Sequence, residues 1–307
     1  MQLQSDDPNK AFHHLISGFL GSARKELENA ASDPEKAIHD FRRCLKMARA
    51  ALRLGRAALS GQEFQQLNNL LRDSQARLSE NRDHDALIEI CVWLHGKQQN
   101  TTLHLLEQLE QTLRAQKKAA PDPAAAIDEA LSLLNQAETI LDKIVFSDKF
   151  PMEEVIAQGI CRSYAAGKKC LRVIREGNAP QDIWHTWRKR AKDLRYQIGF
   201  IRWYWPGMLG AWERELHHLT DYLGRQRDLF LLRERITLPG SSLNNTEQDP
   251  VGQLLNTIES ARKKHAEKAV GLGRKLYSEP SRYWRKRIMA LYPGTHDSKG
   301  AHLRNDG

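Results

Sequence analysis

One stretch of helix is written twice in this chain. Residues 39–49 read HDFRRCLKMAR and residues 185–195 read HTWRKRAKDLR. The pattern His-x-x-Arg-(Arg/Lys)-x-x-Lys-x-x-Arg thus occurs as His39, Arg42, Arg43, Lys46 and Arg49, and 146 residues later as His185, Arg188, Lys189, Lys192 and Arg195. A period of nearly half the chain constrains the fold strongly, because both halves must then share an order of elements. The matched positions are cations rather than apolar residues. They point to two positive surfaces turned toward one anionic partner.

Periodicity shows where those cations project. At about 100° per residue, His39, Arg42, Lys46, Arg49, Arg53 and Arg56 fall within an arc of about 80°, a narrow stripe roughly 25 Å long. About 100° around the same helix runs an apolar stripe of Ile38, Phe41, Leu45, Ala48 and Leu52, the positions expected to be buried. The second copy sets Trp184, Trp187, Ala191, Leu194, Ile198 and Ile201 beside His185, Arg188, Lys192, Arg195 and Arg202. Gly199 stands where a match to Arg53 would fall, so one rung is missing. A basic face that merely meets water usually lies opposite the core. One adjoining the core can line a groove between packed helices, and its occurrence in both halves favours that reading.

The 307 residues suffice for two domains or one large one, and 40% hydrophobic residues with seven Trp argue for a folded core. The net charge of +9 asks for a polyanionic partner: nucleic acid, an anionic membrane surface or an inorganic phosphate polymer. Cys44, Cys91, Cys161 and Cys170 form no CxxC pair, so neither zinc nor a disulfide framework is signalled. The polar, acidic start MQLQSDDPNK is unlike a signal peptide, and no segment reaches the roughly 18 apolar residues of a membrane span. A soluble cytoplasmic protein with no membrane partner is expected.

Nearly all of the chain reads as helix, and alternating strand patterns are missing. Helices are predicted over 9–31, 34–59, 62–80, 83–116, 123–146, 152–177, 180–204, 208–226, 228–237, 249–277 and 280–291. Asp33-Pro34 and Ala179-Pro180 place a proline near the start of each striped helix. The repeat continues past the stripes, as LSENRD ending at Asp83 and LGRQRD ending at Asp228. Each half therefore reads as a series of helical hairpins. The expected fold is all-α, with two pseudo-symmetric antiparallel four-helix bundles and a basic central groove or pore. FSDKFP at 146–151 is the junction between repeats of about 8–146 and 150–292, and LPGSSLNNTEQDP at 238–250 is a loop. Residues 293–307 lack apolar periodicity and are expected to be a disordered tail.

With both stripes and both Arg-Asp turns in hand, the sequence resembles the CHAD family, the conserved histidine α-helical domain, over residues 8–292. The segments that carry the resemblance are IHDFRRCLKMARAALR, IWHTWRKRAKDLRYQIGF, LSENRDHDAL and LGRQRDLFLL. It implies two four-helix bundles about a pseudo-twofold axis, a basic central channel, and binding of inorganic polyphosphate, often at polyphosphate granules. It carries over to His39, Arg42, Arg43, Lys46 and Arg49, and to His185, Arg188, Lys189, Lys192, Arg195 and Tyr196. Met47, where a second basic residue is usual, and Lys46, commonly Arg, depart from the pattern. The Glu-x-Glu-x-Lys signature of the triphosphatase domain found in many relatives is not in this sequence.

Polyphosphate offers oxygens and negative charge only. Guanidinium forks grip phosphate in a bidentate way, and ammonium groups serve as adaptable point charges. His39 and His185 either donate to phosphate or pack at the helix start, and Tyr196 is either core or a phosphate donor. Asp83 and Asp228 are read as helix caps or as partners of a stripe cation rather than as catalytic groups. Arg82 and Arg227 either extend the basic surface or hold those acids. Neither an acidic Mg²⁺ site nor a Gly-rich phosphate loop is visible, so the chain is expected to be no enzyme and to need no metal or cofactor. Nucleic acid is the rival partner, although the stripes lack interleaved aromatics for base stacking.

Overall fold

The computed structural model describes residues 2, 3, 5, 7–78, 80–96, 100–118, 123–238 and 248–291; the side chains at 80–83, 100, 101, 118 and 248 lie outside that description. The expected tail at 293–307 and most of the 238–250 loop also fall outside the described residues. Everything regular among them is helical: α1 Pro8–Glu28, α2 Pro34–Leu54, α3 Gly61–Arg77, α4 Glu80–His95, α5 Asn100–Lys118, α6 Ala124–Leu141, α7 Met152–Arg175, α8 Gln181–Ile201, α9 Pro206–Thr237, α10 Gln248–Leu276 and α11 Arg282–Leu291. Short 3-10 turns follow both striped helices, at Gly55–Ala58 and Arg202–Tyr204.

Local chemistry starts these helices where they start. Asp7 Oδ1 accepts from the backbone N–H of Asn9 at 2.8 Å, with Pro8 in the first turn of α1. Asp33 does the same for Lys36 at 3.1 Å ahead of Pro34 in α2. Ser60 and Glu63 cap each other reciprocally at the start of α3. Pro180 caps α8 without a side-chain bond. The turn before α8 is made by Gly177 at φ +91° and Asn178 at φ +50°, the left-handed region glycine and asparagine tolerate best.

Two expected boundaries were wrong, in opposite directions. The single helix expected over 83–116 is split into α4 and α5, and the described part of the first helix stops at His95, before Gly96. The break expected between 226 and 228 is absent, and α9 runs unbroken for 32 residues. No proline or cap interrupts α9, so Asp228 lies deep inside a helix and cannot cap one.

The helices pack largely in pairs. In the first half α1 lies along α2 and α3 along α6; in the second α7 lies along α8, with α8 on α9 and α9 on α10. Most of the apolar stripe positions are buried as expected: Phe41, Leu45, Ala48 and Leu52, and Trp187, Ala191, Leu194, Ile198 and Ile201, are inaccessible to solvent, while Ile38 and Trp184, the first of each stripe, are only partly buried against the core. One continuous core joins both halves. A second core was not expected: α4 and α5 pack with the far end of α9 (Leu229, Leu232, Ile236) and the start of α10 (Leu254, Ile258). Thus α9 and α10 each serve two cores. The junction at 146–151 is tied down, with Phe146 buried on Phe12 (centroids 5.4 Å) and the Ser147 N–H donating to Ala58 O at 2.8 Å.

Candidate anion-binding site

The two striped helices meet each other. Gln197 in α8 is buried and its Nε2 donates to the Ala50 carbonyl of α2 at 3.2 Å. Arg53 Nη1 in α2 reaches Asp193 Oδ1 in α8 at 3.2 Å. The ends of the two helices cross into opposite halves: Leu54 lies against Gly159 of α7, and Phe200 packs on Phe19 of α1 with ring centroids 5.5 Å apart. At Gly159 a Cβ would stand 2.4 Å from Leu54 O, so only glycine permits that approach.

Cations gather on one side of this crossing. Arg49 is half-buried and donates from Nε to Asn68 Oδ1 of α3 at 3.2 Å. Burial first, then neighbouring Arg53, lowers its pKa to about 10, so at neutral pH it remains a charged and partly dehydrated guanidinium. Lys189 of α8 is held below the ordinary lysine range by partial desolvation and then by Arg49, Arg190, Arg227 and Arg53. Lys189 therefore feels four other cations, from α2, α8 and α9. A buried counter-charge is Asp193, whose oxygens take Arg53 at 3.2 Å and Arg190 at 3.3 Å. Burial pushes the Asp193 carboxyl up, while Arg53, Arg190 and Arg49 pull it down. Removing one partner of such a buried pair typically costs about 3–5 kcal/mol, because the other is left uncompensated.

The expected site residues do not share one environment. Arg42 is buried, 6% exposed, and its Nη1 donates to the carbonyls of Gln75 at 2.9 Å and Leu78 at 2.6 Å. There it caps the end of α3, at a position expected to bind polyphosphate. Arg53 is likewise committed, to Asp193. Arg202 is paired with Glu213 at 3.0 Å across the turn into α9. His39 and Arg43 are exposed, and both reach Asp40 at 3.3 Å. Arg56 is exposed, with its guanidinium 4.5 Å over the Phe64 ring.

Lys46, His185, Arg188, Lys192 and Arg195 are half-buried. Arg188 lies against α9, where a Cβ on Gly224 would be 3.5 Å from its guanidinium. Arg195 stacks 4.8 Å over Tyr196, whose ring packs on the core, so Tyr196 is at least in part a core residue. Arg227 is only 16% exposed in its side chain, lies 3.4 Å from Asp228 and belongs to the cluster around Lys189. The Arg82 side chain lies outside the described residues.

Sequence reasoning missed Arg190 and Asn68. On the helical wheel Arg190 falls about 140° from His185, well off the stripe. It enters the cluster because α2 crosses α8 on that flank. Asn68 comes from α3, for which no spacing signal exists. Asp193 did have a signal, as a lone acid among the cations of the second copy. No described helix is long and apolar enough to cross a membrane, and no three His, Cys, Asp or Glu side chains gather to hold a metal among the described residues.

A model of the CHAD domain matches residues 14–237. Among solved structures, PptA from Streptomyces chartreusis superposes with a TM-score of 0.62 at 12% identity, covering 90% of this chain and 100% of that one. The crystal structure of the CHAD domain from the plant Ricinus communis gives 0.53 at 18% identity, with 95% and 97% covered. At these identities the likeness concerns the fold. No curated protein matches.

Proposed function

The chain belongs to the CHAD domain family, and from that premise we propose that it is a non-enzymatic binder of inorganic polyphosphate, held where α2 and α8 cross. Polyphosphate-type ligands are those the family takes in general. The observation that carries the reading is the buried Asp193 carboxylate paired with Arg53 and Arg190 and close to Arg49, with Lys189 beside these three arginines and Arg227, so that cations from both halves of the repeat gather at one place. Such crowding of like charges is unfavourable without an anion. Polyphosphate supplies about one charge per unit on a flexible chain and can follow Lys46 and Arg49 onto Lys189, Lys192 and Arg195. On this reading the repeats of about 8–146 and 150–292 are related by a pseudo-twofold axis through the crossing. The basic surface between them is the groove or pore, and the protein acts in the cytoplasm at polyphosphate granules.

Titration calorimetry with long-chain polyphosphate at physiological salt tests this. If about six to eight cations release counterions, the log–log salt slope should be about −4 to −6, by analogy with single-stranded nucleic acid. Replacing Arg49 and Arg195 together by Glu should abolish binding while the far-ultraviolet helical signal stays intact. A flat salt dependence, or full affinity in that double variant, refutes the reading.

One observation favours nucleic acid as a second reading. Away from the stripes, Arg225 lies 5.2 Å over Trp93, Trp93 meets His265 at 5.5 Å, His265 meets Tyr222 at 6.1 Å, and Lys268 lies 5.6 Å over Tyr222. Rings alternating with cations suit stacked bases. Single-stranded RNA that binds as tightly as polyphosphate, and survives the Arg49 and Arg195 substitutions, would support it.

A further inference from the structure

The ion pair between Arg53 and Asp193 is one-sided. Under the 146-residue shift that maps α2 onto α8, Arg53 corresponds to Gly199 and Asp193 to Met47. Both partners of the equivalent pair are therefore missing together. Met47 packs against the core instead. At Gly199 a Cβ would stand 3.1 Å from Glu213 Oε1, so the glutamate that pairs with Arg202 fills the room a longer side chain would need. The carboxylate on one side alone is a built feature, because its removal on the other side is matched by removal of the cation.

We propose that Asp193 is an internal counter-anion that makes the basic cluster selective for long phosphate chains over short ones. This rests on the polyphosphate reading above. Asp193 is buried, with Oδ1 3.2 Å from Arg53 and Oδ2 3.3 Å from Arg190, so both guanidiniums are engaged before any ligand arrives. Orthophosphate or pyrophosphate can win them only by displacing a carboxylate that stays behind as a buried like charge. A long chain meets that opposition once. It also collects Arg49, Lys189, Arg227 and the stripe cations of both halves, contacts a short anion cannot span.

The test compares pyrophosphate, tripolyphosphate and long-chain polyphosphate by calorimetry at one salt concentration. Asp193→Asn should tighten pyrophosphate and tripolyphosphate about tenfold, the scale of one freed charge-assisted contact, and long chains by less than about threefold. A merely structural role for Asp193 predicts the opposite sign, with all three ligands weakened together. Should Asp193→Asn fail to fold, Arg53→Ala with Asp193→Met carries the test, since it reproduces the uncharged arrangement of the other side. That variant should also narrow the preference for long chains by about threefold, through Arg190 alone. An unchanged ratio in the variant that folds overturns the inference. If the unsubstituted protein binds no polyphosphate, the functional reading itself falls; if it binds long chains and the ratio never moves, only the role of Asp193 falls.

Discussion

Replacing Arg42 by Met separates a structural role from a ligand role at the one signature arginine that is buried. The thioether chain keeps the packing of the arginine stem. What it removes are two charge-assisted hydrogen bonds, from Nη1 to Gln75 O and to Leu78 O at the end of α3. Such bonds contribute about 1.5–3 kcal/mol each, and relaxation at the helix end recovers part, leaving a net loss of about 2–4 kcal/mol. With an unfolding entropy of roughly 2.1 cal/mol/K per residue, a single transition of the whole chain would lower Tm by about 3–6 °C. Differential scanning calorimetry reads that shift. Polyphosphate affinity, measured well below the transition, should stay within about twofold, since less than one contact of 1.4 kcal/mol is at stake. An unchanged Tm with affinity down tenfold would refute the capping assignment and return Arg42 to the ligand surface.

The close approach of α2 to α7 predicts that Gly159→Ala destabilises by about 1–3 kcal/mol through forced separation from Leu54. Gly21→Ala, mid-helix with nothing within 4 Å of a Cβ, should instead stabilise by about 0.5–1 kcal/mol; chemical denaturation of both variants gives the two signs. Burial pushes the Cys91 thiol pKa up to about 12 from the 9.0 of a free thiol. The unfolded chain then loses that proton first, so the folded state binds more protons between those values and Cys91 contributes a loss of stability as pH rises past about 9. A Cys91→Ala variant should show a shallower alkaline loss in denaturation midpoints, and in the native protein Cys91 should resist thiol reagents until unfolding. Equal slopes for the two proteins would discard this account.

Helical periodicity exposed the stripes because burial repeats every 3.6 residues, and Phe41, Leu45 and Trp187, Leu194 are as buried as their spacing requires. The α9 boundary was illegible for a physical reason. The break expected after Gln226 followed the repeated LGRQRD segment, yet α9 passes through that segment, with Gly224 in ordinary contact with the Arg188 guanidinium. The shared second core was hidden because it joins segments far apart in sequence, α4 with the end of α9, and amphipathic patterns do not name their partners. The partners of Arg49 and Arg190 depend on the angle at which α2 crosses α8. The glycine at 159 sets part of that geometry, and no local pattern announces a close approach.

Arg42 and Arg188 occupy the same place in the repeat and have different fates, and the cause lies in the third helix of each half. In the first half α3 ends at Arg77, which leaves carbonyls at Gln75 and Leu78 that Arg42 satisfies. In the second half α9 continues, its carbonyls are taken up within the helix, and Arg188 lies on Gly224 rather than in a cap. A similar divergence separates Arg43, exposed beside Asp40, from Lys189, set among Arg49, Arg190, Arg227 and Arg53. It separates buried Cys44 from Arg190 as well. Matching letters in a repeat thus preserve the backbone frame while the neighbouring helix decides which cations remain at the surface. Under the polyphosphate reading the second copy supplies the greater part of the grip, with Arg49 as the main contribution of the first. Single Glu substitutions at Lys189 and at Arg43 should therefore be unequal: loss of Lys189 should weaken polyphosphate binding by at least about tenfold and loss of Arg43 by less than about threefold, because Lys189 sits among four other cations at the crossing while Arg43 stands beside Asp40. Equal losses in a titration would mean that the polymer follows the exposed face of α2, and that the crossing of the two helices is structural.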